Sequence, residues 1–186
     1  MPKKTVHVAL DWHRIDWMPH ETWKQDIVPK LTALGITLQK LRRCLYVIRL
    51  DGDFCIDYPR GATPTLYIGE GNFNQRIGQH RKWARSLENL VGDFAFQVCI
   101  AIPRVQGNDE AYRDAEAALI DFFAKTYGTT PLWNKQYETR LCPHYEYSAQ
   151  SMKEAINKRS GARYQWALRP LKSTPFHRYY EQPPRA

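Results

Sequence analysis

The hydrophobic and polar positions change period along the chain, and those changes divide it into elements. Val6-His7-Val8-Ala9-Leu10, followed by Trp12 and Trp17, reads as a short strand or an irregular arm. From His20, the apolar residues Trp23, Ile27, Leu31 and Leu34 fall at helical spacing with Gly35 as C-cap, and Pro29 predicts a kink or two short helices. Leu45 to Leu50 is a β-rich run, followed by the turn signal Asp51-Gly52-Asp53 and by Phe54-Cys55-Ile56. Asp57 to Pro64, with two prolines and a glycine, predicts a loop. Thr65 to Gly69 is the next strand, and Gly69 and Gly71 let the backbone turn sharply into a helix from Asn72 to Leu87. That helix sets Arg76 and His80, four residues apart, on one face. Phe94 to Ile102 is an almost wholly apolar strand, closed by Pro103 and Gly107-Asn108-Asp109, and a helix from Glu110 to Tyr127 ends at Gly128. Ser148 to Arg159 reads as a last helix, and the tail beyond it is basic and aromatic without period.

The order strand, strand, helix, strand, helix predicts an α/β (α+β) fold: a small central, mainly antiparallel sheet of about three main strands flanked by helices. Residues 44–134 form its core, with an N-terminal extension over 1–43 and a C-terminal one over 135–186. The chain of 186 residues is long enough to bury a core, and it shows no internal repeat. It lacks an apolar run of membrane-spanning length and a secretory h-region, so the expected setting is the cytoplasm, without a membrane. Cys44, Cys55, Cys99 and Cys142 are widely spaced with no C-x-x-C pair, which predicts buried reduced thiols rather than disulfides or zinc. His7, His13 and His20 have nothing to fix them on one face and read as surface histidines.

The net charge of +8 is unevenly spread. Residues 1–43 carry 8 basic and 4 acidic side chains, 44–134 carry 9 and 11, and 135–186 carry 10 and 4. Basic flanks around a slightly acidic centre suit a polyanionic substrate whose cleavage needs a cation, although excess lysine and arginine also serve solubility alone. Glu116 changes the picture most. Its helical neighbours Tyr112, Leu119, Ile120 and Phe123 are apolar, so its carboxylate needs a partner, either an arginine in a structural bridge or a metal ion. Arg76 follows a glycine-containing turn and could clamp a phosphate, or be an ordinary helix arginine. Tyr46 and Tyr67 are core aromatics or, near positive charge that lowers their pKa, groups that orient or deprotonate water, a task His80 could share. Asn134 either bonds its own backbone or fixes a loop. Arg81, Lys82 and Arg85 read as surface or as backbone contacts to nucleic acid.

Taken in order, Tyr46, Tyr67-Ile68-Gly69, Arg76, His80, Glu116 and Asn134 resemble the GIY-YIG nuclease superfamily over roughly the middle half of the chain. The first motif reads Cys44-Leu45-Tyr46 and departs from the family at the glycine; the second is intact. The resemblance implies that Glu116 binds one Mg²⁺ or Mn²⁺ and that Arg76 stabilises the phosphorane-like transition state. It further implies that Tyr46 with His80 activates or orients the attacking water, that Tyr67 positions substrate beside Gly69, and that Asn134 supports the site. A lone domain with long flanks looks most like restriction-type members, which implies double-stranded DNA as partner and a homodimer. Arg163, Arg169 and Lys172 in the basic aromatic tail, with Arg81, Lys82 and Arg85, would then grip substrate. The rival readings are a nucleic-acid-binding module on the same fold that no longer cuts, and a phage, toxin or repair nuclease acting on another nucleic acid.

Overall fold

In the computed structural model, which describes residues 4–51, 55–91 and 95–157, a four-stranded antiparallel sheet lies between helices. Its order is β2 (His13–Trp17), β7 (Phe96–Ala101), β3 (Cys44–Leu50), β6 (Thr65–Gly71). Every residue of β3 and β7 is buried, as continuous apolar runs covered on both faces should be. The architecture is α+β with four α-helices among the described residues. The fourth strand comes from the N-terminal arm. In β2 the period of two sends Ile15 and Trp17 into the core and Asp16 outward, with Trp17 opposite Phe96. The arm's first residues form β1 (Val6–Val8), which pairs in parallel with β8 (Tyr145–Tyr147).

The segment Asp57–Pro64, expected to be a loop, is instead a hairpin of β4 (Ile56–Tyr58) and β5 (Gly61–Thr63). Pro59 and Arg60 make its turn, Gly61 takes a φ of 149°, and Tyr58 stacks edge-on against Phe123 at 5.1 Å, so tertiary burial stabilises strands that the prolines alone argue against. The helical run before β3 changes from π over Trp23–Ile27 to α1 (Val28–Ala33), with Pro29 in the first turn of α1, where a missing N–H costs little. Gly35, with φ 70°, ends it.

Two helix layers cover the sheet. Helix α2 (Phe73–Val91) packs on the face that carries Tyr46, as the Tyr46 ring contacts to Phe73 and His80 show. Helix α3 (Ala111–Tyr127) lies on the other face, ended by Gly128 at φ 86°. Beside it α4 (Ala149–Ile156) stops where Asn157 turns extended, short of the expected Arg159. The buried Arg49 donates to the Ala155 and Asn157 carbonyls at this helix end.

Asp114, on α3 and fully buried, fastens the following segment. Its carboxylate accepts from Arg140 Nε at 3.0 Å, from the Cys142 N–H at 2.6 Å and from the Tyr147 hydroxyl at 2.9 Å. Removing one partner of such a buried pair typically costs about 3–5 kcal/mol, so residues 138–147 are held firmly over α3. All four cysteines are free, with Cys44, Cys55 and Cys99 buried and Cys142 half-buried. Among the described residues no helix is long and apolar enough to cross a membrane.

Candidate active site

The register of β3 on β6 places Tyr46 opposite Gly69 and Ile48 opposite Tyr67, so both tyrosines stand on the α2 face. Gly69, expected to turn the chain, instead lies within the strand, and the turn falls to Gly71, with φ 94°. Gly69 is required for space. A Cβ there would sit 2.8 Å from Cζ and Oη of Tyr46 and closer still to the Tyr67 ring.

His80 projects from α2 onto this pair, its ring centroid 4.5 Å from that of Tyr67, and its Nε2 lies 2.9 Å from Tyr46 Oη. The Trp83 indole N–H donates to His80 Nδ1 at 3.1 Å. An indole can only donate, so Nδ1 carries no proton and the neutral ring must hold its proton on Nε2. His80 therefore donates to Tyr46 Oη, and Tyr46 keeps its own proton to give. Burial, with the charge of Arg76 second, pulls the His80 pKa down to about 4 and keeps the ring neutral. The expectation that positive charge lowers the pKa of Tyr46 does not hold in the protein alone: burial dominates, Tyr67 adds to it, and Tyr46 lies well above its ordinary value despite Arg76. Tyr67 is raised for the same first reason and next by Glu116, against the pull of Arg76 and of a hydrogen bond from Tyr46.

The alternate side chains of β6 face α3, and here Glu70 meets Glu116. With Arg113, Glu138, Thr139 and Leu141 they line a cleft of about 340 Å³. Burial first, then the charges of Glu70 and Glu138, push the Glu116 pKa up to about 8, with Arg76 opposing. Among the described residues no lysine or arginine lies within ion-pair distance of Glu116, so it is not half of a structural bridge. Nor do three His, Cys, Asp or Glu side chains among them gather as a ready ligand set. The donors on offer are carboxylate oxygens, which suit a hard cation, and Mg²⁺ is commonly held by one or two carboxylates with water and phosphate completing its shell. A half-buried carboxylate kept protonated by burial first and by acidic neighbours second, with no basic partner among the described residues, fits such an ion at Glu116.

Arg76 is exposed on α2 and its charge acts on Tyr46, Tyr67, Glu70, His80 and Glu116 alike, so it serves both faces. Asn134 pins the free edge of β6: its Oδ1 accepts from the Ile68 N–H at 2.9 Å and its Nδ2 donates to the Ile68 carbonyl at 2.8 Å. One residue earlier, the Trp133 N–H donates to the Leu66 carbonyl at 3.0 Å, and the Trp133 ring stacks on Trp83 at 5.1 Å. Six sequence-picked residues thus meet around one edge strand. Of the described grip residues, Arg81, Lys82 and Arg85 do not join them. Arg81 donates to the Glu21 carbonyl, Lys82 and Arg85 are exposed, and Arg163, Arg169 and Lys172 lie outside the described residues.

Glu70, Glu138, Trp83 and Trp133 were not singled out from the sequence. Glu70 had a signal: it directly follows Tyr67-Ile68-Gly69 on a strand, and its odd offset from Tyr67 sends it to the opposite face. Glu138 had none, because Asp114 and Arg140 bring it in from an aperiodic stretch. No protein-family model, curated protein or solved structure matches this chain.

Proposed function

We propose that this chain is a GIY-YIG-type, divalent-metal-dependent endonuclease of the restriction kind, hydrolysing phosphodiester bonds in double-stranded DNA as a cytoplasmic homodimer. The observation that carries the reading is the meeting of Tyr46, Tyr67, His80, Arg76 and Glu116 around an edge strand that Asn134 pins. A module that only bound nucleic acid would have no use for a half-buried, unbridged Glu116.

Glu116 would hold Mg²⁺ or Mn²⁺, and when bound the ion polarises the phosphate and stabilises the leaving oxygen. Arg76, exposed and central, takes the phosphate oxygens and strengthens its hold as charge grows in the transition state. His80 acts as a positioning residue: its Nε2–H holds Tyr46 Oη while Trp83 holds His80. Tyr46, so fixed and fully buried, holds the half-buried Tyr67, through which the pair orients a water, whose oxygen bonds to phosphorus as the bond to the sugar oxygen breaks. One water proton ends on the departing oxygen and the other passes to solvent.

Purified protein incubated with supercoiled plasmid, single-stranded DNA and RNA, with and without Mg²⁺, tests this. Plasmid nicking or linearisation that requires the ion is expected. Retention of all three without cleavage makes the chain a binding module, and cleavage confined to RNA refutes the DNA assignment.

A further inference from the structure

We propose that the cleft between residues 37–43 and 102–109 is an anchoring site for the phosphodiester backbone of nucleic acid, some nucleotides away from the bond that is cut. The proposal rests on the nuclease reading and gives it a second contact surface, among the described residues and apart from the basic tail. The cleft has a volume of about 540 Å³, and its walls set the cations Lys40, Arg43 and Arg104 against a single carboxylate, Asp109. Among the described residues neither Lys40 nor Arg104 is in an ion pair. Arg43 is paired with Asp109 at 2.7 Å, but the two side chains are 57% and 84% exposed. An ion pair so exposed adds little stability, and a phosphate can take the guanidinium from it.

The cleft is built rather than incidental. One wall is fixed by Gly107 at φ 75°, by the bridge between Val105 and Asn108, and by Asn108 itself, which donates to the Tyr145 hydroxyl and accepts from the Glu110 N–H, both at 2.9 Å. A ligand there orders no loop, so its contacts are not offset by lost chain entropy.

The location joins the cleft to the candidate site. Arg43 immediately precedes β3 and Ile102 immediately follows β7, while Leu45 pairs with both Ala101 and Glu70. The cleft therefore opens at the end of the sheet where Glu70 lies and where α3 begins. Helix α3 begins two residues after Asp109, and its Arg113 lines the Glu116 cleft. Lys40, Arg43 and Arg104 line the one cleft and Arg113 the other, so cations stand on both sides of the start of α3.

The test uses the full-length Lys40→Ala/Arg104→Ala double variant, which leaves every proposed catalytic group in place. Binding to a fluorescein-labelled 30-base-pair DNA duplex is followed by anisotropy in EDTA over a range of salt. The expected result is at least a tenfold loss of affinity near 100 mM salt, with the slope of log K against log salt shallower by roughly 1.8, about 0.9 for each lost phosphate contact. An unchanged affinity and slope, with wild-type thermal unfolding, overturns the proposal. So does a loss confined to inorganic phosphate binding, which would make the cleft a small-anion site. Because the readout is binding without metal, a protein that shows the shallower slope yet never cleaves refutes only the nuclease reading. Metal-dependent cleavage with an unchanged slope refutes only the cleft.

Discussion

The two faces of strand β6 use burial in opposite ways. Toward α2, burial strips a proton from His80 and joins it, neutral, to Tyr46 and Trp83 in a relay without net charge. Toward α3, burial keeps a proton on Glu116 among acidic neighbours, leaving a cleft that gains from a cation. The first face satisfies itself with hydrogen bonds inside the protein; on the function proposed above, the second is completed by a metal ion. Arg76, exposed between them, is the common element. On the proposed reading function divides accordingly: the aromatic face sets geometry, and the carboxylate face sets the ion requirement.

The comparison breaks most severely at Arg76. Arg76→Ala should lower the single-turnover rate at saturating DNA by roughly 10²–10³, about 2.7–4 kcal/mol, as loss of one preorganised donor does, with little change in affinity. Weakened binding with an unchanged rate would make Arg76 a plain phosphate anchor. Next in size is Gly69→Ala. The added methyl must displace Tyr46 or Tyr67, and overpacking of this kind costs about 1–3 kcal/mol, to be read as a lower denaturant midpoint with an unchanged m-value. An undisturbed midpoint would mean that the tyrosine pair is loosely held.

The smallest effect is in stability against pH, measured without metal. The raised pKa of Glu116 contributes stability that is complete below about 4.5 and is lost as pH rises toward about 8. The depressed pKa of His80 contributes stability that is complete above about 6.5 and is lost as pH falls toward about 4. Between about 4.5 and 6.5 the two slopes oppose each other, and from 6.5 to 8 Glu116 acts alone. The thermal midpoint should therefore fall between pH 6.5 and 8 in the wild type and stay level in Glu116→Gln. A level midpoint in both would contradict the burial of Glu116.

The two faces also differ in how far the sequence displayed them. Period and punctuation placed β3, β6, α2 and α3 to within a few residues, because each has a long apolar stripe or run with a glycine stop. The ordered spacing from Tyr46 to Asn134 marked the six residues that meet at β6, and the i, i+4 offset of Arg76 and His80 carried the α2 side. The hairpin at residues 56–63 was hidden by Pro59 and Gly61, since its strands owe their stability to Phe123 and Tyr127, far off in sequence. Strand β2 carried a readable alternation, His13-Arg14-Ile15-Asp16-Trp17, but its short length and charges masked it. The α3 side of the site was least legible. Glu138 there, like the Trp83–Trp133 stack on the α2 side, depends on where residues 131–142 fold back, and that is set by Asn134 on Ile68 and Arg140 on Asp114.

The most direct test of this division is the ion dependence of DNA cleavage in Glu116→Gln, measured beside DNA affinity in EDTA. The account predicts no cleavage at any Mg²⁺ or Mn²⁺ concentration, with affinity equal to wild type and a thermal midpoint at pH 6.5 no lower than wild type. Cleavage that survives the substitution, or wild-type cleavage that survives excess EDTA, would contradict it.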